Sequence, residues 1–341
     1  MLDLQKTLQI LSDTTAPAGQ EHLGRAVFSE LLRPYVDEIH VDTLGNIIGK
    51  KSCGKEGAKQ VLLDAHMDEI GFVVTGHKGK FLSLSAVGSI DPRHLPATKL
   101  CLLTNPPQFG VISTMPPHLL KDGDMDKTQD LSELFLDMGH SAEKTKEIPI
   151  GTPLVYATKS QALMGKRFCG KALDNRAGMA AILSTLSKLP EDLAVDLTVL
   201  FSVQEEIGLR GAKTGVFSQH PDLAIVLDVT FGDTPDSPKE KTVSLGKGPA
   251  IGVGPYLNRK LSDKLIALAK EKNIPHQLEI LPGRTSTNAD EIQVAHTGVE
   301  TALLSLPLRY MHSPTEVVDL GDIEQTASLI ATFLADFGGE A

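Results

Sequence analysis

The side chains able to do chemistry fall in five short segments. They are Asp64-Ala65-His66-Met67-Asp68-Glu69, Ala172-Leu173-Asp174-Asn175-Arg176, Val203-Gln204-Glu205-Glu206-Ile207-Gly208, Leu227-Asp228-Val229-Thr230 and Tyr310-Met311-His312-Ser313-Pro314. Imidazole and carboxylate donors together suit zinc, cobalt or manganese, whereas calcium and magnesium prefer oxygen alone. Two imidazoles and three or more carboxylates are too many for one catalytic ion with an open position. They suit two ions roughly 3.5–4 Å apart that share a bridging carboxylate and a bridging water. Glu205 and Glu206 are adjacent, and neighbours on an extended backbone point to opposite sides. One of them can then hold a metal while the other faces the water as general base, its pKa raised by burial beside another carboxylate.

Taken singly, each of these residues has a plainer reading. A lone His66 or His312 is as a rule a hydrogen-bonded histidine, and a Glu-Glu pair a solvated turn. Asp174 alone is a helix N-cap and Asp68 a loop residue. Asp228 is the least easily dismissed, because it follows a buried-strand pattern and a buried carboxylate needs a partner. What turns the balance is that these residues recur at the ends of predicted strands. Cys169, between Phe168 and Gly170, reads as a small packing residue rather than a nucleophile. Gly246, Gly248, Gly252 and Gly254 lack a Walker Lys-Ser/Thr and read as turns, not as a phosphate loop.

The elements that must position these groups follow from hydrophobic periodicity. Helices are expected over residues 1–16, 21–32, 174–189, 261–272 and 321–337. Short strands are expected at 38–41 and 46–48, and near-continuous apolar strands at 60–65, 195–203, 223–229 and 301–306. His66 would then end one strand, Glu205 and Glu206 a second, and Asp228 a third, with His312 a few residues beyond a fourth. In open α/β sheets, sites form outside the carboxyl ends of the strands. Residues 72–164 differ in texture, with short Val, Ile, Leu and Thr pieces punctuated by Gly and Pro. They read as a small all-β module with at most a short helix near 131–136 and a mobile loop over 115–130. The expected architecture is a mixed-sheet α/β/α sandwich with an inserted small β-barrel-like domain. Residues 1–71 and 165–341 form the catalytic α/β domain and 72–164 the insertion, an arrangement that surface insertion points permit.

Composition excludes several classes. The 341 residues, 41% hydrophobic and 22% charged, can bury a core without staples. The formal charge of −10 opposes nucleic-acid binding, which needs clustered Lys and Arg. Four Tyr, eleven Phe and no Trp leave few stacking platforms for bases or sugars. No apolar run approaches a membrane span, and the N-terminus has no signal-peptide pattern. Three widely spaced cysteines form neither a disulfide framework nor a metal pair, so a reducing cytoplasm is expected.

At its chemical segments the sequence resembles the tetrahedral and glutamyl-type aminopeptidases, metallopeptidase family forty-two, some of whose members bear an endoglucanase or cellulase label. The carriers are His66-Met67-Asp68-Glu69-Ile70-Gly71-Phe72, Ala172-Leu173-Asp174-Asn175-Arg176-Ala177-Gly178 and Gln204-Glu205-Glu206-Ile207-Gly208-Leu209-Arg210-Gly211-Ala212. Asp228-Val229-Thr230 followed by Asp233-Thr234-Pro235, then Gly246-Lys247-Gly248-Pro249 and Met311-His312-Ser313-Pro314-Thr315-Glu316, complete the set. Six such motifs in order over nearly the whole chain are specific. The resemblance implies two divalent ions per subunit, zinc first, with cobalt or manganese as alternatives. It implies that Asp174 bridges them, that His66 and Asp228 hold one, and that Glu206 and His312 hold the other. Glu205 would be general base and acid, and Asp68 would orient His66. The peptide after Asp174 is expected to be cis. The inserted module would serve dimerisation, and dimers would assemble into a tetrahedral dodecamer. At Thr287-Asn288-Ala289 relatives usually carry Thr-Asp-Ala. Because this segment is expected near the substrate pocket, the missing charge bears on specificity, with Asp290 nearby as a partial replacement.

These implications describe metal-assisted removal of N-terminal residues from peptides. A deacylase or carboxypeptidase would share the metal chemistry. A glycoside hydrolase such as an endoglucanase would use paired carboxylates without metal. A non-catalytic metal-binding protein fits least, since structural sites leave no open position and need no base.

Overall fold

The computed structural model describes residues 2–337 apart from 121–122 and 124–126. The chain opens with helix α1 (Leu4–Asp13), capped by the Asp3 carboxylate, which accepts the Lys6 N–H at 3.0 Å. The single helix expected over 21–32 is divided at Gly24 into a 3₁₀ turn (Glu21–Leu23) and α2 (Arg25–Leu32). Strands β1 (Glu38–Val41), β2 (Ile47–Lys51) and β3 (Lys59–His66) follow.

Six strands then close an antiparallel barrel: β4 (Gly71–Lys78), β5 (Phe81–Val87), β6 (Lys99–Leu102), β7 (Gln108–Ile112), β8 (Phe135–Asp137) and β9 (Pro153–Tyr156). Their order around the barrel is β4-β5-β8-β7-β6-β9. Alternate residues such as Phe72, Val74, Leu82, Leu84, Leu100, Leu102 and Leu136 fill the interior. This is the period-2 burial of a closed sheet. The helix expected near 131–136 is instead a 3₁₀ turn (Leu131–Glu133), capped by Asp130, that leads into β8. Barrel closure decides the matter, because Leu134 and Leu136 both turn inward. A four-residue helix, α3 (Ala142–Thr145), was not anticipated. Of the loop expected over 115–130, Pro117–Leu119 forms a 3₁₀ turn, while 121–122 and 124–126 lie outside the described residues.

The chain returns through β10 (Gln161–Ala162) and β11 (Arg167–Gly170) to α4 (Leu173–Leu186). Then come β12 (Val195–Ser202), α5 (Arg210–Phe217), β13 (Leu223–Phe231), β14 (Ala250–Val253), α6 (Arg259–Glu271) and β15 (Gln277–Ile280). Helix α7 (Ala289–Ile292), β16 (Glu300–Leu308), β17 (Glu316–Asp319) and α8 (Leu320–Phe337) complete it. Gly252 lies within β14 rather than in a turn. The Gly246 and Gly248 N–H groups both donate to Asp322 at 2.7 Å, so they are already satisfied by the protein. Cys169 is buried against Leu245 and Val317, a packing position.

The large sheet is mixed, in the order β1-β2-β12-β3-β13-β16-β14-β15. Its four central strands, β12, β3, β13 and β16, are mutually parallel, so their carboxyl ends share one edge. One face packs on α1, α2, α4, α6 and α8 through Val61, Leu63, Val199, Ile225, Leu227 and Leu304. The other packs on α5 and α7 through Leu62, Leu200, Val226 and Leu303. This is the α/β/α sandwich with an inserted barrel that the sequence pattern predicts. No helix among the described residues is long and apolar enough to cross a membrane.

Candidate metal centre

The polar groups lie where the α5/α7 face of the sheet reaches its carboxyl edge. Side chains two apart on a strand share a face. On β3 that face reads Leu62, Asp64, His66, and on β13 it reads Val226, Asp228, Thr230. In register, Ser202 of β12 pairs with His66, and Asp228 pairs with Ser305 of β16. Asp228 therefore lies within its strand, three residues before the end at Phe231, rather than at the strand's end. It is 5% exposed, and its carboxylate accepts the Val229 N–H at 2.9 Å.

Helix α4 brings Asp174 to this edge. The helix does not begin regularly: Asp174 (φ −76°, ψ 107°) and Asn175 (φ −116°, ψ 38°) are non-helical, and the peptide between them is cis. Asn175 serves as the cap, its Oδ1 accepting the Gly178 N–H at 3.1 Å while its amide donates to the Leu227 carbonyl at 2.7 Å. A Cβ at Gly178 would run into the Asn175 side chain, so this cap requires glycine there. One Asp174 oxygen, Oδ1, stands 3.0 Å from His66 Nε2, and the other, Oδ2, stands 3.2 Å from His312 Nε2. His66 Nε2 is also 3.9 Å from Asp228 Oδ1, and His312 Nε2 is 3.4 Å from Glu206 Oε1. His66, Asp174 and Glu206 offer donor atoms that all lie within 4.8 Å of one another.

Glu205 and Glu206 sit in a turn after β12, not on extended backbone, so the alternation argued from their adjacency does not operate. Asp68 shapes the turn instead. Its Oδ1 accepts the Glu205 N–H and its Oδ2 the Glu206 N–H, each at 3.1 Å. Asp68 Oδ1 also lies 3.4 Å from His66 Nδ1, which makes no hydrogen bond of its own. One fully buried carboxylate thus stands behind both the imidazole and the paired glutamates.

Glu316, which closes the last motif, is structurally central. Its Oε1 accepts the His312 N–H at 2.9 Å and its Oε2 the Asp174 N–H at 3.1 Å. It holds the two residues in fixed relation from behind. Its sequence signal is a carboxylate directly preceding the apolar pair Val317-Val318. Asn288 departs from expectation. The Thr285–Thr287 residues line the cavity beside the centre, but Asn288 turns under the sheet, donating to Asp64 and Ser202 at 2.8 Å each. Asp290 does reach the cavity wall, but its oxygens accept from Thr285, Ser286 and Arg284, so its charge is tied up locally.

The electrostatics reflect crowding of like charge out of water. Burial, reinforced by Asp228, Glu206 and Asp68, pushes the Glu205 carboxyl up to about 9 against the pull of His66. Burial raises Glu206 and Asp228 as well, and with Asp174 beside it raises Glu316 to about 8. Burial opposes charge on the histidines, yet Asp174 and Glu206 hold His312 up at about 11, and Asp174 and Asp68 hold His66 well above its usual value. Burial would raise Asp174, but His312 and His66 bring it well below the ordinary carboxylate range. Nitrogen and oxygen donors converge here from opposite sides of one carboxylate, with an excess of negative charge. That donor set fits borderline divalent cations. The cavity beside it encloses about 650 Å³.

Known proteins similar to this chain are peptidases. The family model described as M42 glutamyl aminopeptidase matches residues 45–329. A lysyl aminopeptidase of Pyrococcus furiosus is 35% identical over 98% of each chain. Among solved structures, the aminopeptidase APDkam598 from the archaeon Desulfurococcus kamchatkensis superposes with a TM-score of 0.91 at 33% identity, over 98% of this chain and 94% of that one. The Pyrococcus horikoshii TET1 peptidase, which can assemble into a tetrahedron or a large octahedral shell, gives 0.85 at 29% identity, over 97% and 99%.

Proposed function

Because the chain belongs to the M42 glutamyl aminopeptidase family and is a peptidase, we propose that it is a dinuclear metal-dependent aminopeptidase that removes N-terminal residues from peptides. The observation that carries this reading is Asp174, which offers one oxygen toward each imidazole, at 3.0 and 3.2 Å. His66 and Asp228 with Asp174 would hold one ion, and His312 and Glu206 with Asp174 the other. Zinc suits this set best, and cobalt or manganese also suit it. Such ions would supply Lewis acidity to the scissile carbonyl and lower the pKa of a bound water.

The remaining work falls to the protein's own side chains. Glu205 lines the cavity and is desolvated without being committed to an imidazole. It accepts the proton of the attacking water and returns it to the leaving amine nitrogen. Asp68 fixes the Glu205 backbone and stands beside His66 Nδ1, the place from which an outer carboxylate sets a ligand's tautomer. Glu316 keeps Asp174 and His312 in register.

Metal analysis of the purified protein, combined with an aminoacyl-anilide panel, tests the proposal. About two ions per chain and hydrolysis of free-amino anilides are expected. Preferential hydrolysis of N-acyl amino acids would favour the deacylase or carboxypeptidase reading, and sugar-polymer hydrolysis surviving chelation would favour a glycosidase. Glu205→Gln should lower turnover about 10²–10⁴-fold with metal content unchanged; near-normal turnover would remove Glu205 from its role. We also propose that residues 72–164 mediate dimerisation and that dimers build a dodecamer, as light scattering would report.

A further inference from the structure

The cavity beside the metal centre contains a carboxylate that the chemistry above does not use. Glu279, on β15, takes the Thr230 hydroxyl on Oε1 and the Ser305 hydroxyl on Oε2, both at 2.5 Å. Two hydroxyl donors leave further lone-pair directions open on each oxygen. No ion pair among the described residues involves Glu279. The arginine lining the same cavity, Arg284, is tied to Asp290 at 3.1 Å. Of the other cavity carboxylates, Asp290 is paired with Arg284, and the rest belong to the metal centre, where bound cations would balance them. Glu279 alone is left largely desolvated without a counter-charge, and burial holds its carboxyl above the ordinary range. A half-buried charge of this kind gains from a partner.

Its position relative to the chemistry is set by the sheet. Ser305 lies directly opposite Asp228 in register, and Thr230 is two residues beyond Asp228 on the same face of β13. Two strand residues span roughly 7 Å. The Glu279 carboxylate is therefore about one long side chain away from the proposed ion site. Leu281 and Phe231 line the same wall and offer apolar surface along which methylenes can lie.

We propose that Glu279 determines substrate preference by receiving the cationic side chain of an N-terminal lysine or arginine. This rests on the aminopeptidase reading. The substrate's ammonium or guanidinium supplies the counter-charge that the protein omits, while its flexible stem crosses the wall. An aliphatic side chain leaves Glu279 uncompensated, and an acidic one is repelled, so discrimination combines attraction with rejection.

The test is kcat/KM of the metal-loaded wild type for Lys-, Arg-, Leu- and Glu-anilides, repeated on Glu279→Gln, which keeps the side-chain shape. The expected wild-type order is Lys and Arg at least tenfold above Leu, with Glu lowest. The Lys/Leu ratio should fall at least tenfold in Glu279→Gln. Free lysine should inhibit the wild type more strongly than free leucine, and this difference should vanish in the variant. A ratio unchanged by the substitution, or a wild type that prefers Leu or Glu, overturns the inference while leaving the aminopeptidase reading intact. Failure to hydrolyse any of the four anilides would overturn that reading and this inference with it.

Discussion

Replacing Asp68 by Asn turns one carboxylate oxygen into an NH₂ group in a fully buried place. The carboxylate has one oxygen for the Glu205 N–H and one for the Glu206 N–H, each at 3.1 Å, with His66 Nδ1 3.4 Å from the first. An amide has a single oxygen. In either orientation its NH₂ confronts one of the two backbone N–H groups, leaving a buried donor without an acceptor. That costs about 1–3 kcal/mol, or roughly 5- to 150-fold. Loss of an outer partner of a ligating histidine costs a similar 10- to 100-fold in metal affinity or activity. Because the same carboxylate supports the proposed base, a proposed ligand and His66, the loss should appear in both properties. Asp68→Asn is expected to lower kcat/KM about 10- to 100-fold and to weaken metal retention in competition with a chelator by a comparable factor. Circular dichroism should show an intact fold. If a folded Asp68→Asn protein stays within twofold of wild type in both assays, Asp68 does not position the centre as argued.

Metal binding should release protons at pH 7, because the metal-free centre holds His312 at about 11 and Glu205 at about 9. Apparent affinity should therefore rise with pH from 6 to 9, and calorimetric heats should depend on the buffer's ionisation enthalpy; buffer-independent heats would contradict this. Lys171→Met removes the partner of buried Glu69, which takes the Lys171 ammonium at 2.6 and 2.8 Å. Breaking a buried pair costs about 3–5 kcal/mol, and the lower end is expected here because Arg176 remains 3.9 Å away; urea unfolding measures it. Gly211→Ala would drive a Cβ into the Val203 backbone at the turn carrying Glu205 and Glu206. Since backbone cannot yield as a flexible side chain does, a loss of about 1–3 kcal/mol in stability and a drop in activity are expected, read by thermal melting and anilide hydrolysis.

The buried strands and the helices were legible in the sequence because their signal is local. Continuous apolar runs specify strands covered on both faces, and this alone brought β3, β12, β13 and β16 to one sheet. Motif order was equally legible, since it requires only residue types in succession. Three features needed the tertiary structure. Asp228 lies inside its strand because pairing with β16 carries β13 on to Phe231, and strand length is set by the neighbour. The Glu205–Glu206 geometry depends on Asp68, which is 137 residues distant, so no local pattern could reveal that a turn replaces extended backbone. Asn288 and Glu279 sit close to the chemical segments in the fold, yet one turns under the sheet and the other faces the cavity without a counter-charge. Residue type and spacing established which atoms could bind or transfer a proton. Only packing decided where each carboxylate points, because burial and the available donors select its orientation.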